Sequence, residues 1–119
     1  MRRLTDAEKN LLAPYIPKVD LDNAYIVEGR VPRWLGKKYI AITLGNRIYM
    51  RQGVYEPGSV TGLAVLGHEL VHVGQYRTGM TRIKYLWASR RGYARNRYEI
   101  PAYAKERQIL DTLNNSLAC

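Results

Sequence analysis

The sequence predicts a small α+β domain, in which a short antiparallel sheet of about three strands precedes a central helix and a C-terminal helix. The segment KKYIAITLGNRIYMRQ places Gly45-Asn46 between two β-branched and aromatic runs, the pattern of a two-residue hairpin. Residues 60–77 instead repeat apolar side chains with a helical period, and Gly79 follows them. The chain has 119 residues, enough for one modest core, so we expect a single domain over residues 1–119.

The flanking segments complete the expected order of elements. TDAEKNLLAPY is typical of a short helix, because Thr5 and Glu8 have the spacing of a capping box and Pro14 ends the pattern. AYIVEG predicts the first strand. After the central helix we expect a helix of about ten residues that ends at Gly92, and a last long helix over RYEIPAYAKERQILDTLNNSL.

The composition is that of an ordinary soluble globular protein, with 46% hydrophobic and 24% charged residues. No run approaches the roughly 20 apolar residues of a transmembrane helix. The first residues lack the apolar stretch of a secretory signal, so we expect a cytoplasmic protein, and non-classical export stays open. Cys119 is the single cysteine and cannot form an internal disulfide; an unpaired surface thiol is the simplest expectation.

The positive charge is concentrated in one part of the chain. The formal net charge is +9, and no acidic residue lies between Glu69 and Glu99. Within that interval is a segment from Arg77 to Arg97 that we call the basic stripe. Its basic residues are Arg77, Arg82, Lys84, Arg90, Arg91, Arg95 and Arg97. Such a stripe can attract nucleic acid or an anionic surface, although a solvated helix face is the more common role of a charge run.

Both histidines of the chain lie in GLAVLGHELVHVGQY, residues 62–76. His68 and His72 are one helical turn apart, about 40° around the axis and about 6 Å along it, so both rings leave from one face. An apolar stripe on the other side should bury the helix: Leu63, Leu66, Leu70 and Val73. Two neutral imidazoles and a carboxylate can hold a hydrolytic zinc ion with water in the fourth position. Glu69 can take a proton from that water and return it to the leaving nitrogen. The alternative is a structural pair of histidines without metal.

The third ligand must be a distant carboxylate or Cys119, because the chain has no other histidine. We favour Glu99 at the start of the last helix, although a glutamate there can also act only as a partner of the helix dipole. Glu106, seven residues later on the same face, is the reserve ligand or an acceptor for an imidazole N–H. Asp111 projects about 120° away and is expected in solvent. Pro101 would bend this helix if it lay beyond the first turn.

Two glycines interrupt the central helix, although each costs about 1 kcal/mol relative to alanine in a helix interior. Gly67 and Gly74 share a face about 130° from the histidines. We therefore expect another backbone to approach the helix closely on that face.

The stretch LGHELVHVGQYR, followed by YEIPAYAKE, resembles the gluzincin class of zinc metallopeptidases. The size is similar to that of the minigluzincins and of small zincin domains found in bacteria and their toxins. The resemblance implies a zincin-like fold and one Zn²⁺ ion bound by His68, His72 and Glu99. It implies hydrolysis of a peptide or protein substrate, with Glu69 as general base and acid. It further implies that the strand near residues 47–52 forms the cleft rim on which an extended peptide lies.

One position departs from the gluzincin pattern. Tyr103 stands where the family usually has an aspartate that orients a zinc-bound histidine, and loss of such a partner costs about 10- to 100-fold in affinity or activity. A weak or latent enzyme is therefore expected unless Glu106 or a backbone carbonyl takes over that task. Tyr98 or Tyr103 can instead donate a hydrogen bond to the tetrahedral intermediate, although packing is the more common role of a tyrosine.

A second hypothesis belongs to another functional class. In it the chain is a basic binding module for nucleic acid or an anionic surface, which acts through the basic stripe and contains a structural metal or none. Salt-dependent binding through the stripe would favour this module, whereas stoichiometric zinc and peptide cleavage would favour the enzyme.

Overall fold

The predicted α+β class is confirmed by a computed structural model that describes residues 1–29, 41–51, 59–92 and 95–117, without the side chains of residues 91, 116 and 117. In chain order the elements are β1 (Arg2–Arg3), α1 (Asp6–Leu12), α2 (Lys18–Asn23), β2 (Tyr25–Glu28), β3 (Ala41–Leu44), β4 (Arg47–Met50), α3 (Val60–Arg77), α4 (Arg82–Ala88) and α5 (Glu99–Leu117). A short 3₁₀ turn, Ser89–Arg91, follows α4.

The sheet has four strands in the order β1-β2-β4-β3. Strands β3 and β4 form the predicted hairpin, with Gly45 at φ +67° in the turn. The prediction of an antiparallel sheet of about three strands is wrong in detail, because β2 pairs with β4 in parallel and β1 adds a fourth strand. Alternating apolar residues indicate a strand but not its direction, and the two arginines of β1 carry no strand pattern at all.

The helix signals of the sequence correspond to local hydrogen bonds. The capping box of α1 is complete, since the Glu8 N–H donates to Thr5 Oγ1 at 3.2 Å and the Thr5 N–H donates to Glu8 Oε1 at 2.7 Å. Helix α3 covers the predicted residues 60–77, and the Ser59 hydroxyl accepts from the Gly62 N–H at 3.0 Å. Helix α2 was not predicted, because it is only six residues long and has no side-chain cap.

Helix α3 lies at the centre of the molecule, in contact with α1, α2, β3, β4 and α5. The apolar stripe predicted for it is buried, and Leu66 and Leu70 are fully inaccessible to solvent. The core therefore lies between the sheet and α5, with α3 running through it. Pro101 is the third residue of α5, inside the first turn where the backbone N–H has no intrahelical acceptor, so it does not interrupt the helix.

The two glycines of α3 do permit close approach, but by side chains rather than by a backbone. A Cβ atom at Gly67 would lie 2.3 Å from Cδ1 of Ile109 in α5. A Cβ atom at Gly74 would lie 2.9 Å from Oδ2 of Asp20, a buried carboxylate that accepts from Arg77 Nε at 2.8 Å. The glycines therefore bring α5 and α2 close to α3, which sets the distance between α3 and any group that α5 carries.

Among the residues described, no helix combines the length and the apolar character required to cross a bilayer. Cys119 lies outside the described residues, so its predicted role as a surface thiol or alternative ligand is not addressed by this structure.

Candidate metal centre

The two histidines of α3 direct their Nε2 atoms at a single oxygen. His68 Nε2 and His72 Nε2 each lie 3.0 Å from Oε1 of Glu99 at the start of α5. The ring centroids of the histidines are 5.1 Å apart, and all three side chains are buried. Four-residue spacing on a helix explains the shared face, and the tight packing of α5 against α3 brings the carboxylate to it.

These three side chains could together hold a metal ion. One potential ligand atom from each of His68, His72 and Glu99 lies within 4.8 Å of the others. In a tetrahedral site with zinc–ligand bonds of about 2.0–2.1 Å, the ligand atoms are about 3.3 Å apart. The observed 3.0 Å contacts are close to that spacing, so the residues present fit the ion.

The second ring nitrogen of each histidine, Nδ1, points away from Glu99 and lies close to a side-chain oxygen atom. His72 Nδ1 lies 2.8 Å from Oε1 of Gln75, whose Nε2 donates in turn to the Tyr98 carbonyl at 2.8 Å. His68 Nδ1 lies 2.8 Å from Oε1 of Glu106, a contact at ion-pair distance that is not aligned as a hydrogen bond. The Gln75 oxygen at Nδ1 of His72 and the negative Glu106 carboxylate beside Nδ1 of His68 both favour the tautomer in which Nδ1 carries the proton and Nε2 is available to a metal.

Glu106, predicted as a reserve ligand or as an acceptor for an imidazole N–H, therefore lies beside Nδ1 of His68 and outside the group of three possible ligands. The aspartate expected from the gluzincin pattern has no direct substitute in Tyr103, which packs its ring edgewise against His68 with centroids 4.5 Å apart. Asp111 is exposed, as predicted.

Glu99 is held in place by α4 and by the segment that connects α4 to α5. Its second oxygen accepts a hydrogen bond from the Tyr85 hydroxyl of α4. Asn96 is fully buried and links the two helices: its Nδ2 donates to Ser89 Oγ at 2.7 Å, and its backbone carbonyl accepts from the Glu99 N–H at 3.0 Å. The first turn of α5, and with it the Glu99 side chain, is thereby fixed against α4.

Glu69 points to another side of α3, towards the sheet. Its Oε2 accepts a hydrogen bond of 2.6 Å from the hydroxyl of Thr43 in β3. Both residues are buried, and Glu69 lines the same pocket as His72 and Glu99. The carboxylate is thus close to the candidate metal centre without belonging to the group of three possible ligands.

The burial and the charges of these groups shift their pKa values in opposite directions. Burial alone lowers the pKa of His68, but the Glu106 and Glu99 carboxylates outweigh it and raise that pKa to about 9. The pKa of His72 is also raised, because the effect of the Glu99 and Glu69 carboxylates is larger than the opposite effect of burial. Burial raises the pKa of Glu69, whereas the two histidines and Tyr85 overcome burial to lower the pKa of Glu99. Without metal, the centre therefore favours protonated imidazoles around an ionised Glu99.

A pocket of about 650 Å³ opens beside the metal centre, between β3 and α4. This volume is in the range of small-molecule and cofactor sites. Polar groups from the centre, Glu69, His72 and Glu99, lie at the pocket wall. The rest of its wall is mainly apolar and includes Ile42, Leu44, Tyr76, Met80 and Leu86. The pocket can therefore accept a ligand with apolar groups next to the candidate metal centre.

The prediction that the strand near residues 47–52 forms the rim of the cleft is wrong. Residues 47–50 form β4, which pairs with β2 on one side and β3 on the other, so its backbone groups are already used. In the described part of the sheet, β3 is the edge strand beside the pocket. The strand closer in sequence to the helix is the inner one because the hairpin places its first strand outside. Residue 52 lies outside the described residues.

Sequence reasoning missed three residues of the site. Gln75 was recoverable, because it follows His72 by three residues and therefore shares its helix face. Thr43 and Tyr85 had no such signal: a threonine in a strand and a tyrosine in a chain with ten of them are ordinary packing residues.

Comparison with known families gives one partial match. Residues 37–80 match the model of the eCIS core domain, a segment that contains β3, β4, α3 and both histidines but ends before Glu99. The chain is similar to that family over this segment. No curated protein and no solved structure matches the chain significantly. The gluzincin resemblance therefore stays a prediction, supported by the metal-ligand geometry and not by a family match.

Proposed function

We propose that this chain is a minimal zinc-dependent endopeptidase. The observation that carries the proposal is the position of one carboxylate oxygen of Glu99, 3.0 Å from Nε2 of both His68 and His72. The Glu69 carboxylate faces the same pocket. A structural zinc site is usually closed by four protein ligands, whereas three protein ligands next to a pocket are typical of hydrolytic zinc.

Each residue has a separate task in this proposal. His68, His72 and Glu99 hold the ion, and Gln75, Glu106 and Tyr85 orient these three ligands. A zinc ion held there would supply a Lewis acid able to polarise a carbonyl and to lower the pKa of water. Glu69 accepts a proton from the attacking water and delivers it to the departing amine. Thr43 keeps the Glu69 carboxylate turned towards the pocket.

The substrate in this proposal is an extended peptide with apolar side chains. Strand β3, at the edge of the sheet formed by the described residues, borders the pocket and can hydrogen-bond to a peptide backbone, while the apolar wall accepts side chains. Because residues 37–80 are similar to the eCIS core domain, we also propose that the chain acts together with an extracellular contractile injection system. Because Tyr103 replaces the expected aspartate, we expect weak or latent activity.

The test combines metal analysis with one substitution. The purified full chain should contain near-stoichiometric zinc and cleave unstructured, apolar-rich peptides. Glu69→Gln should retain the zinc and lose cleavage by at least about 100-fold, because the general base is removed and the ligands are not. Glu28→Gln is the matched control, since it makes the same change at an exposed glutamate of β2. Full activity in Glu69→Gln, or purified protein that cannot bind zinc, would refute the proposal.

A further inference from the structure

The outward face of α4 carries three large apolar side chains in solvent. Ile83, Leu86 and Trp87 are 80%, 68% and 67% exposed. Their i, i+3, i+4 spacing places them next to one another on one face. On the opposite side of the helix, Tyr85 turns inward and contacts Glu99. We call Ile83, Leu86 and Trp87 the α4 patch; it continues to the mouth of the pocket, because Leu86 also lines that pocket.

Basic side chains border the α4 patch. Arg82 and Lys84 lie about 100° to either side of Ile83 around the helix axis. The guanidinium of Arg90 lies 4.6 Å from the centre of the Trp87 ring. All three basic residues are exposed, and no acidic residue lies between Glu69 and Glu99 to neutralise them locally. The patch is thus an apolar ridge with positive charge along its borders.

We infer that α4 binds the surface of an anionic lipid bilayer. Ile83, Leu86 and Trp87 enter the boundary between headgroups and acyl chains, and the flanking cations contact lipid phosphates. Amphipathic helices that lie in the membrane interface combine Trp and Leu on one face with Lys and Arg beside them. Anionic leaflets attract such cations with about 1 kcal/mol each, a fivefold gain in binding per charge.

The apolar side chains distinguish a bilayer from nucleic acid as the partner of the basic stripe. Nucleic acid attracts the positive charge and can stack on Trp87, but it offers no apolar layer in which Ile83 and Leu86 lose contact with water. A bilayer surface offers negative charge and an apolar layer together. Long basic side chains beside an inserted apolar ridge can reach back to the headgroups. The inference does not depend on hydrolysis, because it uses none of the proposed zinc ligands.

Vesicle sedimentation of the full chain tests this inference. We expect binding to phosphatidylcholine vesicles that contain about 30% phosphatidylserine, much weaker binding to pure phosphatidylcholine, and loss of binding as salt is raised. Ile83→Ser/Trp87→Ser should weaken binding at least about tenfold, because each side chain loses its apolar burial. Lys84→Gln/Arg90→Gln should weaken it by about tenfold or more through charge alone.

A matched variant controls for exposed apolar surface elsewhere. Leu11→Ser/Val19→Ser removes two side chains, each 42% exposed, from α1 and α2 and should leave vesicle binding unchanged. Thermal melting of each variant checks the fold. The inference is overturned if the native chain does not sediment with anionic vesicles, or if Ile83→Ser/Trp87→Ser binds them as tightly as the native chain does. It is also overturned if the chain binds duplex DNA but not vesicles, which would identify a nucleic-acid surface.

Discussion

Thr43 connects the proposed base to the sheet. Its hydroxyl carries one proton, and the short contact of 2.6 Å shows that this proton is donated to Oε2 of Glu69; the Glu69 carbonyl is more distant, at 3.2 Å. Thr43 is itself buried and held in the β3 ladder, opposite Ile48 of β4. A buried donor in a rigid strand limits rotation of the carboxylate. Thr43 is therefore a positioning residue for Glu69 in the proposed mechanism.

Removal of this hydroxyl should slow the chemical step. Thr43→Val keeps the shape of the side chain, so we expect kcat to fall by about 10- to 100-fold with little change in KM or zinc content, the cost typical of a lost supporting hydrogen bond. Thr43→Ser restores the donor and should recover most of kcat. Steady-state kinetics on the same peptide measure both. Equal kcat values for the threonine and valine proteins would show that the contact has no role in turnover.

The site illustrates how far residue spacing alone can lead. His68, Glu69 and His72 were predictable because four-residue spacing on one helix determines their mutual geometry. Glu99 was favoured over Glu106 and Cys119 for its place at the start of the last helix and through the gluzincin resemblance, and the structure does bring it to both rings. The supports of the site, Thr43 and Tyr85, depend on which strand lies at the edge and where α4 packs. Strand order and helix packing are features of the tertiary structure, which a local residue pattern does not determine.

At the scale of elements, the contact between α3 and α5 determines whether the centre can form. The approach of these helices depends on the absence of a side chain at Gly67, whose place is taken by Cδ1 of the fully buried Ile109. The glycines of α3 indicated close approach in the sequence, but not which element approaches. Strand directions were unpredictable for a similar reason: the parallel pairing of β2 and β4 depends on the path of the chain between them and not on the residue pattern of either strand.

Gly67→Ala should therefore destabilise the protein, although alanine is the better helix former. The helical gain is about 1 kcal/mol, whereas a 2.3 Å overlap with Ile109 Cδ1 in a filled core should cost about 2–3 kcal/mol, the upper part of the usual overpacking range. We expect a net loss of about 1–2 kcal/mol in the free energy of unfolding, measured by urea denaturation.

The double variant Gly67→Ala/Ile109→Val provides the control. It removes the methyl group that the new Cβ would meet, so it should be more stable than Gly67→Ala. Ile109→Val alone should cost about 0.5–1.5 kcal/mol. A Gly67→Ala protein as stable as the native chain, or one that Ile109→Val weakens further, would contradict this account of the helix contact.

At the scale of the whole molecule, the candidate metal centre joins elements that are distant in sequence. Its proposed ligands lie on α3 and α5, and the groups that contact these ligands lie on α3, α4 and α5. A bound ion should therefore stabilise the entire domain, because ligands that bind only the folded state shift the unfolding equilibrium. In the metal-free protein, protons on the two imidazoles take the place of the ion beside Glu99, so protons and zinc compete for the same atoms.

This competition predicts opposite pH dependences for the two forms. The pKa of His68 is raised to about 9 in the folded protein by Glu106 and Glu99, against an unfolded value near 6.5. A raised histidine pKa contributes stability that is complete below the unfolded value and is lost as pH rises through the folded value. The Tm of the metal-free protein should therefore fall between pH 6.5 and 9.5. The increase in Tm on adding zinc should become larger over the same interval, because fewer protons must be displaced.

Scanning calorimetry of the metal-free and zinc-loaded chain measures both trends, and Glu106→Gln tests their cause. This substitution leaves the three proposed ligands in place but removes a carboxylate 2.8 Å from His68 Nδ1. It should lower the pKa of His68, so the Tm of the metal-free protein should decrease less between pH 6.5 and 9.5. The increase in Tm caused by zinc should then become large at a lower pH than in the native chain. A metal-free Tm that is constant or rises from pH 6.5 to 9.5 would show that protonated imidazoles do not stabilise the metal-free centre. A zinc effect that shrinks with pH would show that the ion does not bind where those protons do.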